Sequence, residues 1–281
     1  MQNNKKKMEL PNSLSIKLNA LISILKRKKI IVAFSGGVDS SLLAFLSKKY
    51  GKEALLITES SILYPKEEIE EASKFANKYD IKHIIIERDP LKDENFRNNP
   101  QNRCYICKIG LYKEIIKIKN SKEFDIILDG SNADDLSDFR PGMQALKELS
   151  ISTPYIDKDI HKNEIRAISK FYELEVQSKP SMACYSSRIP YGQIINKEKL
   201  IMISEAEKFL KDTFNLNQLR VRLHEPKLAR IEVLSEDLPK IMQENNIKKV
   251  KKKLKDLGFN YITIDIEGFR SGSMNEVLNL N

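Results

Sequence analysis

The stretch Ile30-Ile31-Val32-Ala33-Phe34-Ser35-Gly36-Gly37-Val38-Asp39-Ser40-Ser41-Leu42-Leu43 decides how the rest of the chain is read. The apolar run 30–34 predicts a buried strand. Ser35-Gly36-Gly37 is a turn, and Val38–Tyr50 predicts a helix that ends at Gly51. Glycines let the backbone approach a phosphate closely, and the start of a helix offers unpaired N–H groups at the positive end of its dipole. Ser35, Ser40 and Ser41 add hydroxyl donors. Asp39 repels a phosphate, and the natural work of a carboxylate at that place is to hold Mg²⁺ against it. The string lacks the Gly-Lys-Ser/Thr ending of the Walker pattern. The plain alternative is a Gly/Ser turn capping a helix, and the full string between a strand and a helix favours phosphate binding over it.

Outward from this turn, strands and helices alternate. Strands are expected at Ala54–Ile57, Lys82–Glu87 and Asp125–Asp129, with helices from Tyr64-Pro65 to about Tyr79 and from about Cys104 to Ile118. Asp89–Asn102 reads as a Pro- and Asn-rich loop and Ser131–Gly142 as an acidic loop before another helix. The unit continues through His161–Phe171 and Leu174–Val176, the latter read as its last sheet strand. This order predicts an α/β fold, a doubly wound parallel sheet with helices on both faces. The pattern changes at Pro190-Tyr191-Gly192. A helix over about Lys197–Phe214, strands at Leu219–Leu223 and Ala229–Leu234, a Lys-rich helix (Leu238–Leu257) and a strand at Tyr261–Ile266 predict a second, smaller α+β C-terminal domain. The expected division is therefore 1–29, a basic arm with an amphipathic helix; 30–189, the α/β domain; and 190–281.

The 281 residues carry 48 Lys and Arg against 39 Asp and Glu, a net charge of +9. Residues 1–29 hold eight of the bases and one acid, residues 30–189 hold 24 and 25, and residues 190–281 hold 16 and 13. The excess lies in the arm (Lys5-Lys6-Lys7 and Lys26-Arg27-Lys28-Lys29) and in Lys248–Lys255, so the α/β part is near neutral and a nucleic-acid partner is not favoured. No apolar run approaches the roughly 18 residues of a membrane span. Leu14, Leu18, Leu21, Ile22 and Leu25 recur at helical spacing, which reads as an amphipathic helix and not as a secretion signal. Three cysteines are too few for a disulfide scaffold, and an odd number suits a reducing cytoplasm.

Those cysteines admit several chemistries. Cys104 and Cys107 stand three apart at a helix start and share a face. Cys184 falls in a loop after the last sheet strand, where active-site groups of such sheets gather. Two of them could be small buried hydrophobes. The C-x-x-C could be a redox pair, although it follows no thioredoxin-like strand. All three could hold a metal: a structural zinc needs a fourth ligand, whereas a [4Fe–4S] cluster on three cysteines keeps one iron open for a sulfide.

Ser35-Gly36-Gly37-Val38-Asp39-Ser40-Ser41 resembles the signature of the PP-loop ATP pyrophosphatases, which cleave ATP between the α and β phosphates and adenylylate a carbonyl or carboxyl oxygen. Arg103-Cys104-Tyr105-Ile106-Cys107-Lys108, Gly130-Ser131-Asn132-Ala133-Asp134-Asp135 through Asp138-Phe139-Arg140-Pro141-Gly142, and Ala183-Cys184 through Ser187-Arg188-Ile189-Pro190-Tyr191-Gly192 occur in the order of the LarE family. So do Arg220-Val221-Arg222 with His224, Ala229-Arg230-Ile231-Glu232, and Gly268-Phe269-Arg270-Ser271-Gly272-Ser273-Met274. The resemblance runs from about residue 13 to the end. It implies an ATP- and Mg²⁺-dependent sulfur transferase in the biosynthesis of the nickel-pincer nucleotide cofactor of lactate racemase. The implied substrate is pyridinium biscarboxylic acid mononucleotide: one carboxylate is adenylylated and sulfur replaces AMP to give a thiocarboxylate. In one variant of the family the cysteine matching Cys184 gives up its own sulfur. In the other, three cysteines hold a [4Fe–4S] cluster whose open iron carries a sulfide. Cys104, Cys107 and Cys184 occupy the three positions of the cluster variant, and the expectation here is the cluster, supplied by sulfide or another sulfur donor. A cytoplasmic homo-oligomer, of hexameric type, is also implied.

The arginines separate from the lysines. Seven of the eleven (Arg103, Arg140, Arg188, Arg220, Arg222, Arg230 and Arg270) fall inside these motifs in a chain with 37 lysines, which argues for bidentate work that lysine cannot do. Arg188, Arg220 and Arg222 are assigned to the substrate's phosphate or carboxylates, against the plain alternative of surface ion pairs. Asp134, Asp135 and Asp138 could assist Asp39 with Mg²⁺ or place the cationic pyridinium, turn formation being the alternative. Glu232 is read as orienting an arginine, His83 and His161 as structural, and His224 as able to approach a phosphate. The competing functions are tRNA thiolation, which predicts salt-dependent tRNA binding; ATP-dependent amide formation, which needs no cysteine; and a non-catalytic module binding ATP or RNA.

Overall fold

The computed structural model describes residues 9–137, 140–178 and 183–278. The arm lysines Lys5, Lys6 and Lys7, the motif residues Asp138 and Phe139, and Lys179-Pro180-Ser181-Met182 lie outside the described residues. The chain forms two compact units, each assembled from several passages. The first comprises Met1–Ser60, Lys66–Arg88 and Cys104–Ser181; the second comprises Ser61–Pro65, Asp89–Arg103 and Met182–Asn281.

The first unit is built on four parallel strands, β1 (Lys29–Ala33), β2 (Glu53–Ser60), β3 (Lys82–Glu87) and β4 (Ile126–Leu128), in the order β3-β2-β1-β4. Ile30 of β1 lies in register with Ala54 on one side and Ile126 on the other. Side chains alternate across a strand, so a strand with both faces covered reads as an unbroken apolar run. Ile30 and Val32 enter one apolar layer with α1 (Asn12–Leu25), α2 (Val38–Tyr50), α3 (Lys66–Lys78) and α6 (Lys162–Phe171), contributing residues such as Leu21, Leu42, Phe75 and Ile168. Ile31 enters the other layer with Leu55, Tyr112 and Ile115 of α4 (Arg103–Ser121) and Leu146 of α5 (Gly142–Glu148). Burial of each such side chain contributes about 1.5–3 kcal/mol. The doubly wound expectation is met.

Leu174–Val176 is not a strand. Leu174 is fully buried in the layer shared with α2, and Glu175–Ser178 is a single 3₁₀ turn. Its apolar residue is accounted for by packing on helices, without sheet pairing. Among the described residues the sheet is extended beyond β4 only by one parallel bridge, Leu128 to Ser152.

The second unit holds β5 (Leu219–His224), β6 (Leu228–Val233) and β7 (Tyr261–Ile264), with β6 antiparallel to β5 and parallel to β7. Helix α7 (Lys197–Phe214) is capped by Asn196, whose side chain accepts from the Lys199 N–H at 2.9 Å, and is ended by left-handed Asn215. The expected single helix 238–257 is broken into Leu238–Ile241 and α8 (Glu244–Asp256), because Gln243 has an extended backbone at φ −62°, ψ 136°. Leu219 to Leu223 of β5 are all buried, so the face bearing Arg220 and Arg222 is covered along with the apolar one.

The unit's early passages are tied to its later ones through main-chain groups. Tyr185 N–H donates to Leu63 O (2.8 Å), Gly192 N–H to Asn99 O (2.9 Å) and Ile195 N–H to Arg97 O (2.8 Å). The Asn99 side-chain amide donates to Ile189 O (3.2 Å) and Pro190 O (2.7 Å). Among the described residues no helix is long and apolar enough to cross a membrane.

Candidate active site and its sulfur chemistry

The turn between β1 and α2 is shaped by Gly36, at φ +70°, a conformation in which a side chain is strained. Its serines order the loop. Ser35 N–H donates to Ser40 Oγ (3.3 Å), Gly37 N–H to Ser35 Oγ (3.4 Å), and Ser40 Oγ to Gly37 O (3.1 Å). The first helical bond runs from Ser41 N–H to Gly37 O at 2.9 Å. Ser40 and Ser41 are both buried, and Ser41 Oγ has no hydrogen-bond partner. Gly130, after β4, closes on this turn: a Cβ there would stand 3.1 Å from Ser40 N and 3.3 Å from Asp39 Cβ.

Asp39 occupies the first turn of α2. Its Oδ2 accepts from Lys162 Nζ, at the start of α6. Its Oδ1 is buried and has no hydrogen-bond partner. Burial pushes the Asp39 pKa up, against the opposing pull of Lys162. A carboxylate oxygen with an unused lone pair, buried at a phosphate-type turn, fits a Mg²⁺ ligand. The Tyr155 hydroxyl donates to Asp39 O at 3.0 Å and fixes its backbone.

Two groups near this turn carry no sequence flag. Asp129 follows β4, buried, and accepts from Ser131 N–H (2.8 Å), Lys108 Nζ (3.0 Å) and the hydroxyls of Tyr112 and Ser131. Burial alone would raise its pKa; Lys108 and these hydrogen bonds outweigh that and hold it below the ordinary value. Lys162 is the other. A lone lysine after a histidine has no signature, and only the chain reversal brings it to Asp39.

Asp134 and Asp135 bond in different directions. Asp134 accepts from Lys162 N–H (2.8 Å) and pairs with His161 Nδ1 (2.6 Å). Asp135 accepts from Asn132 N–H (3.0 Å) and pairs with Arg140 (2.8 Å). Asp134 thus ties its loop to the start of α6, and only Asp135 bonds the backbone of its own turn.

Cys104 is exposed and Cys107 half-buried, both in the first turn of α4 and in the first unit. Cys184 belongs to the second unit, half-buried at the start of a 3₁₀ turn, Tyr185–Arg188, with Sγ 2.9 Å from Ser186 Oγ. Among the described residues no three His, Cys, Asp or Glu side chains are gathered as a metal ion needs. The three thiols suit an iron–sulfur cluster in number and softness.

The second unit concentrates arginines around buried carboxylates. Arg188 is completely buried and bidentate to Glu207, Nε to Oε1 and Nη2 to Oε2 at 2.9 Å each. Arg222 donates to Glu232 Oε2 (2.7 Å), Ser273 Oγ (3.1 Å) and Ser187 O (3.1 Å). Glu232, fully buried, also accepts from Ser273 Oγ (2.9 Å) and pairs with Arg230 (3.2 Å). Arg220 lies over the Phe269 ring at 5.2 Å and donates to Leu219 O at 2.7 Å. Burial and the neighbouring Arg188 and Arg222 pull its pKa down to about 10. Burial, then Arg230 and Arg222, also hold His224 below its ordinary value.

A parallel sheet of this order with Ser-Gly-Gly-Val-Asp-Ser-Ser at the end of β1 defines a PP-loop enzyme that uses ATP. The profile of the queuosine biosynthesis protein QueC, of that class, matches residues 29–99. The chain is 38% identical over 251 residues to an uncharacterized protein of Synechocystis, covering 89% of this chain and 93% of the other. It is 35% identical to an uncharacterized protein of Methanocaldococcus jannaschii, covering 95% and 98%. It is 30% identical over 269 residues to the pyridinium-3,5-bisthiocarboxylic acid mononucleotide synthase of Lactiplantibacillus plantarum, covering 95% and 96%. The chain belongs to the LarE family of ATP-dependent sulfur transferases.

Proposed function

We propose that the protein adenylylates a carboxylate of pyridinium biscarboxylic acid mononucleotide and replaces the AMP by sulfur, giving a thiocarboxylate for the nickel-pincer nucleotide. The observation that carries this is the near full-length identity to the synthase of L. plantarum. The phosphate turn supports the first half. Its N–H groups and the Ser35 and Ser40 hydroxyls receive the ATP phosphates, and Asp39 Oδ1 is the oxygen that would hold Mg²⁺, which neutralises charge gathering on the leaving pyrophosphate. The substrate carboxylate oxygen attacks the α-phosphorus, the bond to the bridging oxygen breaks, and pyrophosphate departs. A sulfur nucleophile then attacks the acyl carbon, and AMP leaves with the former carboxylate oxygen.

Arg220 and Arg222 are the proposed anion-binding pair for the substrate's phosphate. Their charges are penalised by burial, and an arriving phosphate relieves that penalty. Cys184 is the proposed sulfur-handling residue. A [4Fe–4S] cluster on Cys104, Cys107 and Cys184, proposed from the number and type of the thiols, would supply an open iron for a sulfide. Incubation with the mononucleotide, ATP, Mg²⁺ and sulfide, followed by mass spectrometry, tests the reaction. Thiocarboxylate with stoichiometric pyrophosphate is expected, and its absence overturns the assignment. Iron and sulfide analysis after anaerobic purification tests the cluster, which absence of iron would sink.

A further inference from the structure

Arg188 is among the largest fully buried side chains of the protein, and its donors are directed inward. Beyond its two bonds to Glu207, Nη1 donates to Ala183 O (2.7 Å), Cys184 O (3.0 Å) and Ser187 Oγ (3.0 Å). Glu207, on α7, also accepts from the Val221 N–H of β5 through Oε1 at 2.9 Å. The Cys184 carbonyl therefore connects to the sheet of its unit through one guanidinium and one carboxylate. Residues around it add short tethers: Ser187 N–H (3.0 Å) and Ser187 Oγ (2.8 Å) also donate to Cys184 O. All three guanidinium nitrogens of Arg188 are engaged, whereas Arg222 keeps an Nε without a hydrogen-bond partner, so Arg188 is poorly disposed to receive a substrate anion. Its planar fork can instead fix the direction of a backbone segment.

We propose that Arg188, oriented by Glu207, is a positioning residue that sets the Cys184 main chain for sulfur transfer, and not a ligand of the substrate's phosphate or carboxylates. The proposal rests on Cys184 being the sulfur-handling residue. Its neighbour Arg222 reaches Ser187 O as well, so the anion-binding strand and the cysteine turn share an anchor.

The test compares wild type with Arg188→Lys, Glu207→Gln and the paired Arg188→Met/Glu207→Leu, which removes both charges so that neither is stranded in the interior. The first readout is the rate at which iodoacetamide labels Cys184 in metal-free protein, resolved from Cys104 and Cys107 by peptide mapping. The second is thiocarboxylate formed per pyrophosphate released, with KM for the mononucleotide. We expect the paired variant to change Cys184 labelling at least threefold while Cys104 and Cys107 are unmoved. The thiocarboxylate yield per pyrophosphate should fall about tenfold with KM within twofold, and Arg188→Lys should recover part of the yield. A KM rise of tenfold or more with the yield ratio intact makes Arg188 a substrate ligand and overturns the proposal. Unchanged Cys184 labelling in folded paired variant also overturns it. If wild type releases no pyrophosphate with this substrate, the functional assignment fails, and the labelling comparison still decides the role of Arg188.

Discussion

Lys162 Nζ holds one oxygen of Asp39 and leaves the other buried without a hydrogen bond. The carboxylate is thus partly neutralised and still able to take a cation. Asp39→Asn should lower Mg²⁺-dependent pyrophosphate release by about 10²-fold, the scale of losing one preorganised electrostatic contact. Burial raises the Asp39 pKa and Lys162 opposes that rise. The acid limb of pyrophosphate release should therefore lie above the ordinary aspartate value and move further up in Lys162→Met. A limb that stays put or moves down contradicts the pairing.

Glu232 is the buried hub of the second unit, bonded to Arg222, Arg230 and Ser273. Glu232→Gln removes the buried charge shared by two close guanidinium groups, leaving Arg230 its longer pair with Asp265 (3.5 Å), and should cost about 3–5 kcal/mol in denaturant unfolding. Replacing the pair, Arg222→Met with Glu232→Leu, should cost less than either single change.

Asp129 is a buried carboxylate whose pKa is depressed by Lys108 and its hydrogen bonds. Its native form binds a proton less readily than its unfolded form, so its stabilisation is present above the unfolded value of about 3.9 and is lost as pH falls through the lower folded value. Asp129→Asn should destabilise by roughly 1.5–3 kcal/mol at pH 7. The gap between wild type and variant should close below about pH 4 in pH-dependent urea titrations.

The three histidines should titrate apart. His161, hydrogen-bonded to Asp134, is raised above the ordinary value, whereas burial lowers His83, and burial with Arg230 and Arg222 lowers His224. Proton NMR should show one midpoint above about 6.5 and two below it. The high one should return toward normal in Asp134→Asn.

The phosphate turn and the sheet were legible because both depend on local patterns. β1 is an unbroken apolar run since both its faces are covered, and Gly36 stands where the backbone needs positive φ. The bias of arginine toward motif positions was legible too, and Glu232 does engage Arg222 and Arg230. What the arginines bind was not. Glu207 lies 19 residues from Arg188 in an ordinary amphipathic helix, and Lys162 is 123 residues from Asp39. A buried ion pair leaves no period in the sequence; it arises only when the fold brings two elements together. Leu174–Val176 misleads for the same reason, since a short apolar run reads alike whether it pairs in a sheet or packs on helices.

The bonds from Leu63, Arg97 and Asn99 to residues 185–195 bear on how this protein can be taken apart. A fragment beginning near residue 182 would carry α7 and the whole three-stranded sheet, yet lose the acceptors of the Tyr185, Gly192 and Ile195 amides and the donor to Ile189 and Pro190 carbonyls. The stranded groups on the buried residues Tyr185, Ile189 and Ile195 each cost about 1–3 kcal/mol, a large share of the stability of a domain this size. Limited proteolysis, gene truncation or grafting onto another ATP-using domain should therefore fail at a single junction. An exchangeable module would have to bring the 61–65 and 89–103 passages with it.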